Sequence, residues 1–145
     1  MTEPNAAPAR RWTPVALAPD AAGRAAPAPK GAYSPGVRAG GFVFVSGQVP
    51  RDPHTGALVG EDDVRAQTRQ TLANVAGVLA AAGATLADVV SVSVHLADVA
   101  HWPAFDAVYR EVLAPPYPTR TVVGAALRGI LVEVTAIAYV GDAAR

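Results

Sequence analysis

From Leu131 to Val140 the chain alternates without a break, with Leu131, Glu133, Thr135, Ile137 and Tyr139 on one side and Val132, Val134, Ala136, Ala138 and Val140 on the other. A period of two sustained this long specifies a β-strand, because successive side chains of an extended chain point to opposite faces. One side is small and apolar, as a sheet face packed under helices requires. The other mixes Leu, Ile and Tyr with Glu and Thr. That is too apolar for free water and too polar for an ordinary core, and it implies cover by another copy of the chain. Asp88 to Leu96 repeats the pattern, with Val90, Val92, Val94 and Leu96 expected on the helix-covered face and Val89, Ser91, Ser93 and His95 on the mixed one. The chain has 21 valines, the residue type that best fits a pleated, half-buried surface.

The remaining elements follow from periodicity and punctuation. Gly36 to Ala39 and Phe42 to Ser46 flank Gly40-Gly41 and read as a β-hairpin. After a turn-rich stretch from Pro50 to Gly60, Val64, Thr68, Thr71, Leu72, Val75, Leu79 and Ala82 recur at helical spacing, with Asp62 expected as the cap and Gly83 as the stop. A second helix is predicted with Pro103 in its first turn and Trp102, Phe105, Tyr109, Val112 and Leu113 as its apolar stripe. Pro115, Pro116 and Pro118 forbid its continuation. Arg120 to Val123 then forms a strand ahead of the last one. The predicted order is β-β-α-β-α-β-β, an α+β sandwich with its helices on one sheet face.

Residues 1–32 carry six of the 13 prolines and 11 of the 32 alanines. With Met1, Trp12, Val15 and Leu17 as their only larger apolar residues, they cannot offset the entropy of ordering. They are expected to form a mostly disordered arm, pinned at most by Trp12 to Leu17, beside one domain over 33–141. Arg10-Arg11 resembles an export signal, but Pro14 and Pro19 break the apolar run that should follow, so a cytoplasmic protein is expected.

The whole chain has 12 basic and 12 acidic residues. The arm is net +2 and the remainder net −2, so no bulk field favours nucleic acid or an anionic membrane. No run approaches the ~20 apolar residues of a membrane-spanning helix. The absence of cysteine excludes thiolate nucleophiles, disulfides and cysteine-metal sites. His54, His95 and His101 lack ligand spacing, so no metal is expected. The glycines form no phosphate-binding loop, and no nucleophile elbow is present. Chemistry falls to guanidinium, carboxylate, imidazole, hydroxyl and backbone groups.

Two residues stand out. Glu133 lies mid-strand among valines, where an unpaired carboxylate is costly to bury. Arg120 opens a strand after a proline-rich turn and offers a fork suited to a carboxylate. An Arg-clamped substrate beside a Glu that handles a proton or water is one reading, and a structural Arg-Glu pair across adjacent strands is the other. Ser46 and Tyr33 could supply hydroxyls to a ligand, and Gly47 could admit close backbone approach, although a strand-end turn explains the same residues. Asp106 and Tyr109, at i and i+3 on the second helix, can point at one neighbour; a core tyrosine beside a solvated aspartate is the plainer alternative.

Several ordered segments together resemble the Rid (YjgF) family of reactive-intermediate deaminases. They are Gly31-Ala32-Tyr33-Ser34, Phe42 to Pro50, Asp52 to Gly56, Gln67 to Gln70, Ala81-Ala82-Gly83, Pro118 to Thr121 and Leu131 to Ala138, and the resemblance spans about residues 26–140. It implies a chorismate-mutase-like α+β fold, a homotrimer with sites in clefts between subunits, and no cofactor. It also implies hydrolysis of 2-enamine or 2-imine acids, such as 2-aminoacrylate, to 2-oxo acids and ammonia. In that frame Arg120 clamps the substrate carboxylate and Glu133 handles water or a proton. Tyr33, Ser46 and Gly47 line the cleft, and the backbone at Val122 holds the imine nitrogen. The chain departs from the family pattern at Val122, where many relatives have cysteine, at Asp106, where many have asparagine, and at Thr135 and Ala32. The rival reading is a non-catalytic trimeric protein that binds a small carboxylate. RNA cleavage, attributed to some members, is opposed by the neutral charge and the lack of paired histidines.

Overall fold

The computed structural model describes residues 8–141. They form β1 (Thr13–Val15), β2 (Gly36–Ala39), β3 (Phe42–Gln48), α1 (Val64–Ala81), β4 (Val89–Leu96), α2 (Trp102–Val112), β5 (Thr119–Gly124) and β6 (Val132–Tyr139). One mixed sheet holds all six strands in the order β1-β2-β3-β6-β4-β5. Only the β4–β5 pair is parallel, because α2 connects those strands. Both helices pack on one face, over Val43, Val45, Val92, Val94, Leu96, Val132, Val134 and Ala136.

The sheet has one strand more than the five expected. Thr13 to Val15 pairs with Gly36 to Arg38, Val15 is buried and Leu17 packs against the core, so the compositional boundary near residue 32 does not mark the start of the sheet. Pro14 is tolerated because β1 is an edge strand, where a missing N–H need not interrupt a ladder. Residues 1–7 of the expected arm lie outside the described residues.

α1 begins one residue later in its cap than the sequence suggested. Asp63, not Asp62, accepts the backbone N–H of Arg65 and Ala66 at 3.0 and 3.2 Å, while Asp62 takes the positive φ of 57° that turns the chain into the cap. Gly83 ends the helix as expected, at a φ of 77° that disfavours a side chain. Two buried amides on α1 hold the loops beside it. Gln67 donates to the Gly60 carbonyl at 3.0 Å and accepts the Leu131 N–H at 2.7 Å. Asn74 donates to the carbonyls of Val49 and Arg51 at 2.8 and 2.7 Å.

In β4 the alternation is broken by a register shift between Val89 and Ser91. Val89 turns into the core and Val90 stands exposed, the reverse of the expected placement. From Val92 onward the predicted alternation holds. In α2 the buried stripe is Phe105, Val108 and Tyr109, while Trp102 is exposed. On β6 the mixed face is half-buried and continues through Phe42 and Phe44 of β3, each 43% exposed.

Candidate functional site

Strand order decides what Arg120 and Glu133 can do. β6 lies between β3 and β4, so β4 separates it from β5. Arg120 pairs in register with Val92 on the helix-covered face, whereas Glu133 pairs with His95 on the open face. The structural Arg-Glu pair across adjacent strands does not exist. The two residues occupy different strands and opposite faces of the sheet.

Arg120 is held by α2 instead. Its Nη1 donates to Asp106 Oδ1 at 2.8 Å, and its guanidinium carbon lies 4.6 Å from the centre of the Tyr109 ring and 5.9 Å from that of Phe105. Asp106 and Tyr109 therefore do share one neighbour, as their spacing allowed, and that neighbour is Arg120. Asp106 also accepts from Arg110 Nε at 2.8 Å through its other oxygen. Arg110, bonded to its carboxylate, and then Arg120 hold the Asp106 carboxyl below its ordinary range. Burial raises the Tyr109 phenol, and its hydroxyl has no hydrogen-bond partner among the described residues. These residues, with Tyr117 and Pro118, line an open pocket of about 290 Å³. Of the three guanidinium nitrogens of Arg120, only Nη1 has a hydrogen-bond partner among the described residues, so the Nε and Nη2 edge remains available as a two-donor fork.

Glu133 belongs to a second group. A Cβ on Gly47 would overlap its carboxylate, so the close approach that Gly47 permits is to the chain's own glutamate. Next to Gly47, Ser46 donates its hydroxyl to the Ser34 carbonyl at 2.6 Å, and its N–H donates to Pro35 at 2.9 Å. Tyr33, one residue before Ser34, is 58% exposed. Arg51, Arg128 and Ile130 share the shallow cavity at Glu133.

The predicted site residues thus divide into Ser46, Gly47 and Glu133 in one half and Arg120, Asp106 and Val122 in the other, while Tyr33 lines a separate cavity with Val15, Ser34 and Pro35. The Val122 side chain packs toward the core. Among the described residues its strand is the sheet edge, which leaves outward backbone groups without a strand partner. Sequence reasoning missed Arg110, although its i, i+4 spacing from Asp106 was legible, and the direct pairing of His95 with Glu133. Among the described residues no cluster of three or more His, Cys, Asp or Glu could hold a metal ion, and no helix is long and apolar enough to cross a membrane. A larger apolar cavity on the outer side of α1, lined by Leu17, His54, Ala73 and Gly77, contains none of the predicted site residues.

A mixed six-stranded sheet under two helices, with an aromatic-backed guanidinium lining a pocket, defines a small α+β protein. Residues 23–140 match the family described as Endoribonuclease L-PSP, and the chain belongs to this Rid (YjgF) family. It is 41% identical over 116 residues to a RutC family protein of Pyrococcus horikoshii, covering 79% of this chain and 91% of that one. It is 37% identical over 118 residues to the 2-iminobutanoate/2-iminopropanoate deaminase of Salmonella typhimurium, covering 78% and 91%. Among solved structures it superposes on E. coli TdcF with bound serine at a TM-score of 0.71 and 36% identity, covering 79% and 92%.

Proposed function

We propose that this chain hydrolyses 2-imino and 2-enamino acids, such as 2-aminoacrylate, to 2-oxo acids and ammonia, acting in the cytoplasm as a homotrimer with sites between subunits. The observation that carries the reading is the half-used Arg120 guanidinium, which is clamped over Tyr109 and keeps a two-donor edge in an open pocket. A relative named for this activity, and another with serine bound, support an α-carboxylate with an adjacent nitrogen as the recognised unit.

The chemical demand is modest, because imines already hydrolyse in water. The site need only orient the carboxylate, keep the nitrogen protonated and place water at the carbon. In the proposed mechanism Arg120 takes the carboxylate in a bidentate grip, and the edge-strand backbone at Val122 holds the nitrogen. An enamine first gains a proton at carbon to become the iminium. Glu133 accepts a proton from the attacking water as its oxygen bonds to the iminium carbon, then returns that proton to nitrogen. The resulting protonated carbinolamine collapses as Glu133 takes its hydroxyl proton: the carbonyl forms, the C–N bond breaks, and ammonia leaves and picks up that proton as ammonium, with the 2-oxo acid behind. Ser46 and Gly47 line the Glu133 side. Since Arg120 and Glu133 occupy opposite faces of one sheet, a single substrate reaches both where two copies meet. The apolar Phe42, Phe44, Ile137 and Tyr139 on the open face give such copies a surface to bury.

The test is to generate 2-aminoacrylate with a serine dehydratase and follow pyruvate release. The protein should accelerate it, and Arg120→Ala should lower kcat/KM by about 10²-fold, as expected for loss of two charge-assisted hydrogen bonds. Equal rates with wild type, Arg120→Ala and no protein would overturn the proposal in favour of a binding protein.

A further inference from the structure

Asp106 places a full negative charge against the guanidinium proposed to receive an anionic substrate. Left alone, it would cancel most of the attraction of Arg120 for a second carboxylate. It is not left alone: Oδ1 is held by Arg120 at 2.8 Å and Oδ2 by Arg110 at 2.8 Å, so the three-residue group keeps a net charge of +1. The three groups are ordered by the fold. Asp106 and Arg110 stand one turn apart on α2, Tyr109 between them supports the Arg120 plane, and all four line the same pocket. Asp106 engages only Nη1 of Arg120, and so fixes the guanidinium without occupying its Nε and Nη2 edge.

We propose that Asp106 and Arg110 form a coupled positioning pair, in which Asp106 aims the free edge of Arg120 at the substrate carboxylate and Arg110, by holding the second oxygen of Asp106, keeps that carboxylate from closing over the same edge. This deepens the reading of Arg120 as the carboxylate anchor and rests on it. Arg110 touches no substrate in this scheme. Its contribution is conditional on the acid beside it, and for that reason Arg110 is read together with Asp106. The competing account is an ordinary i, i+4 surface pair, since the Arg110 side chain is 66% exposed and such pairs contribute little.

A double-mutant cycle separates the two accounts. Pyruvate, the product carboxylate, is titrated into Arg110→Met, Asp106→Asn and the double variant, with binding followed by NMR, and KM and kcat are measured on 2-aminoacrylate. Arg110→Met should weaken pyruvate binding and raise KM by about three- to tenfold, with kcat changed by less than about twofold, as expected when the released second oxygen of Asp106 competes with the ligand carboxylate for the free edge of Arg120. With Asn at position 106 the same Arg110 substitution should change both by less than about twofold, and Arg110→Lys should retain most of the wild-type affinity. Equal effects of Arg110→Met in the Asp and Asn backgrounds, or no effect in either, would overturn the proposal. Failure of the underlying anchor reading looks different, because Arg120→Ala would then bind pyruvate as well as wild type does.

Discussion

Replacing Gly47 by alanine isolates the placement of Glu133 from the stability of the fold. The new Cβ would overlap Glu133 Oε1 and lie 3.1 Å from its Cδ and 3.4 Å from its Cγ, with no backbone atom among its three nearest neighbours. Restoring an ordinary carbon-oxygen separation requires the carboxylate to retreat on the order of 1 Å, which the outer torsions of glutamate allow at small cost. Gly47 has no positive φ, so alanine should be accepted by the backbone and should recover a few tenths of a kcal/mol of strand propensity, up to about 1 kcal/mol. The expected result is a Tm within about 3 °C of wild type and a kcat on 2-aminoacrylate lowered by about 10²-fold, the scale for a catalytic group misplaced by ~1 Å. Pyruvate affinity, assigned to Arg120, should hardly change. Circular dichroism melts, steady-state deamination and pyruvate titration measure the three quantities. Full activity in a correctly folded Gly47→Ala would refute the argument, because a displaced Glu133 would then be irrelevant to turnover.

Gln67→Leu should lower stability by about 2–3 kcal/mol, or roughly 6–12 °C in Tm, because the Gly60 carbonyl and Leu131 N–H lose the buried amide that satisfies both; an unchanged melting curve would contradict that role. Asp106 has a folded pKa below its ordinary 3.8, through Arg110 first and Arg120 second. Its stabilisation is therefore complete well above that value and is lost as pH falls through the lower folded value. The stability gap between wild type and Asp106→Asn in urea melts should accordingly narrow from pH 6 to pH 3, and a gap that widens would reverse the assignment. On the open face, Phe44→Glu should convert the proposed trimer to single chains, read by light scattering as a fall from three times 14.8 kDa to 14.8 kDa; a wild-type mass of one chain would refute the assembly itself.

The alternation of β6 was legible because it depends on burial alone, and its faces match the pattern residue by residue. β4 was less legible. Its Val89-Val90 pair offers two equally apolar choices, and only the bulge opposite β6 determines which valine turns inward. β1 left only the apolar cluster Trp12 to Leu17 as a sign of anchoring and no strand pattern, since three residues including a proline become a strand only by pairing with β2. The adjacent Asp62 and Asp63 are chemically equivalent caps until backbone geometry selects one. At the site, residue types and helical spacing pointed to Arg120, Glu133, Asp106 and Tyr109. What sequence lacked was strand order. Insertion of β6 between β3 and β4 turns a plausible Arg-Glu neighbour pair into residues on opposite faces, and it leaves Asp106 as the true partner of Arg120.

The separation of Arg120 from Glu133 also determines how damage spreads in a population of chains. Under the proposed assembly each copy lends its arginine to one reaction centre and its glutamate to another, so the functional unit is the junction and not the polypeptide. A copy lacking only Arg120 silences one junction, while a copy lacking both residues silences two. Mixed trimers of Arg120→Ala and Glu133→Gln chains, each inert alone, should in contrast regain intact junctions and measurable turnover. A defective allele of this protein would therefore act as partly dominant when it strikes both halves of the site, and as complementing when it strikes one half and its partner allele strikes the other.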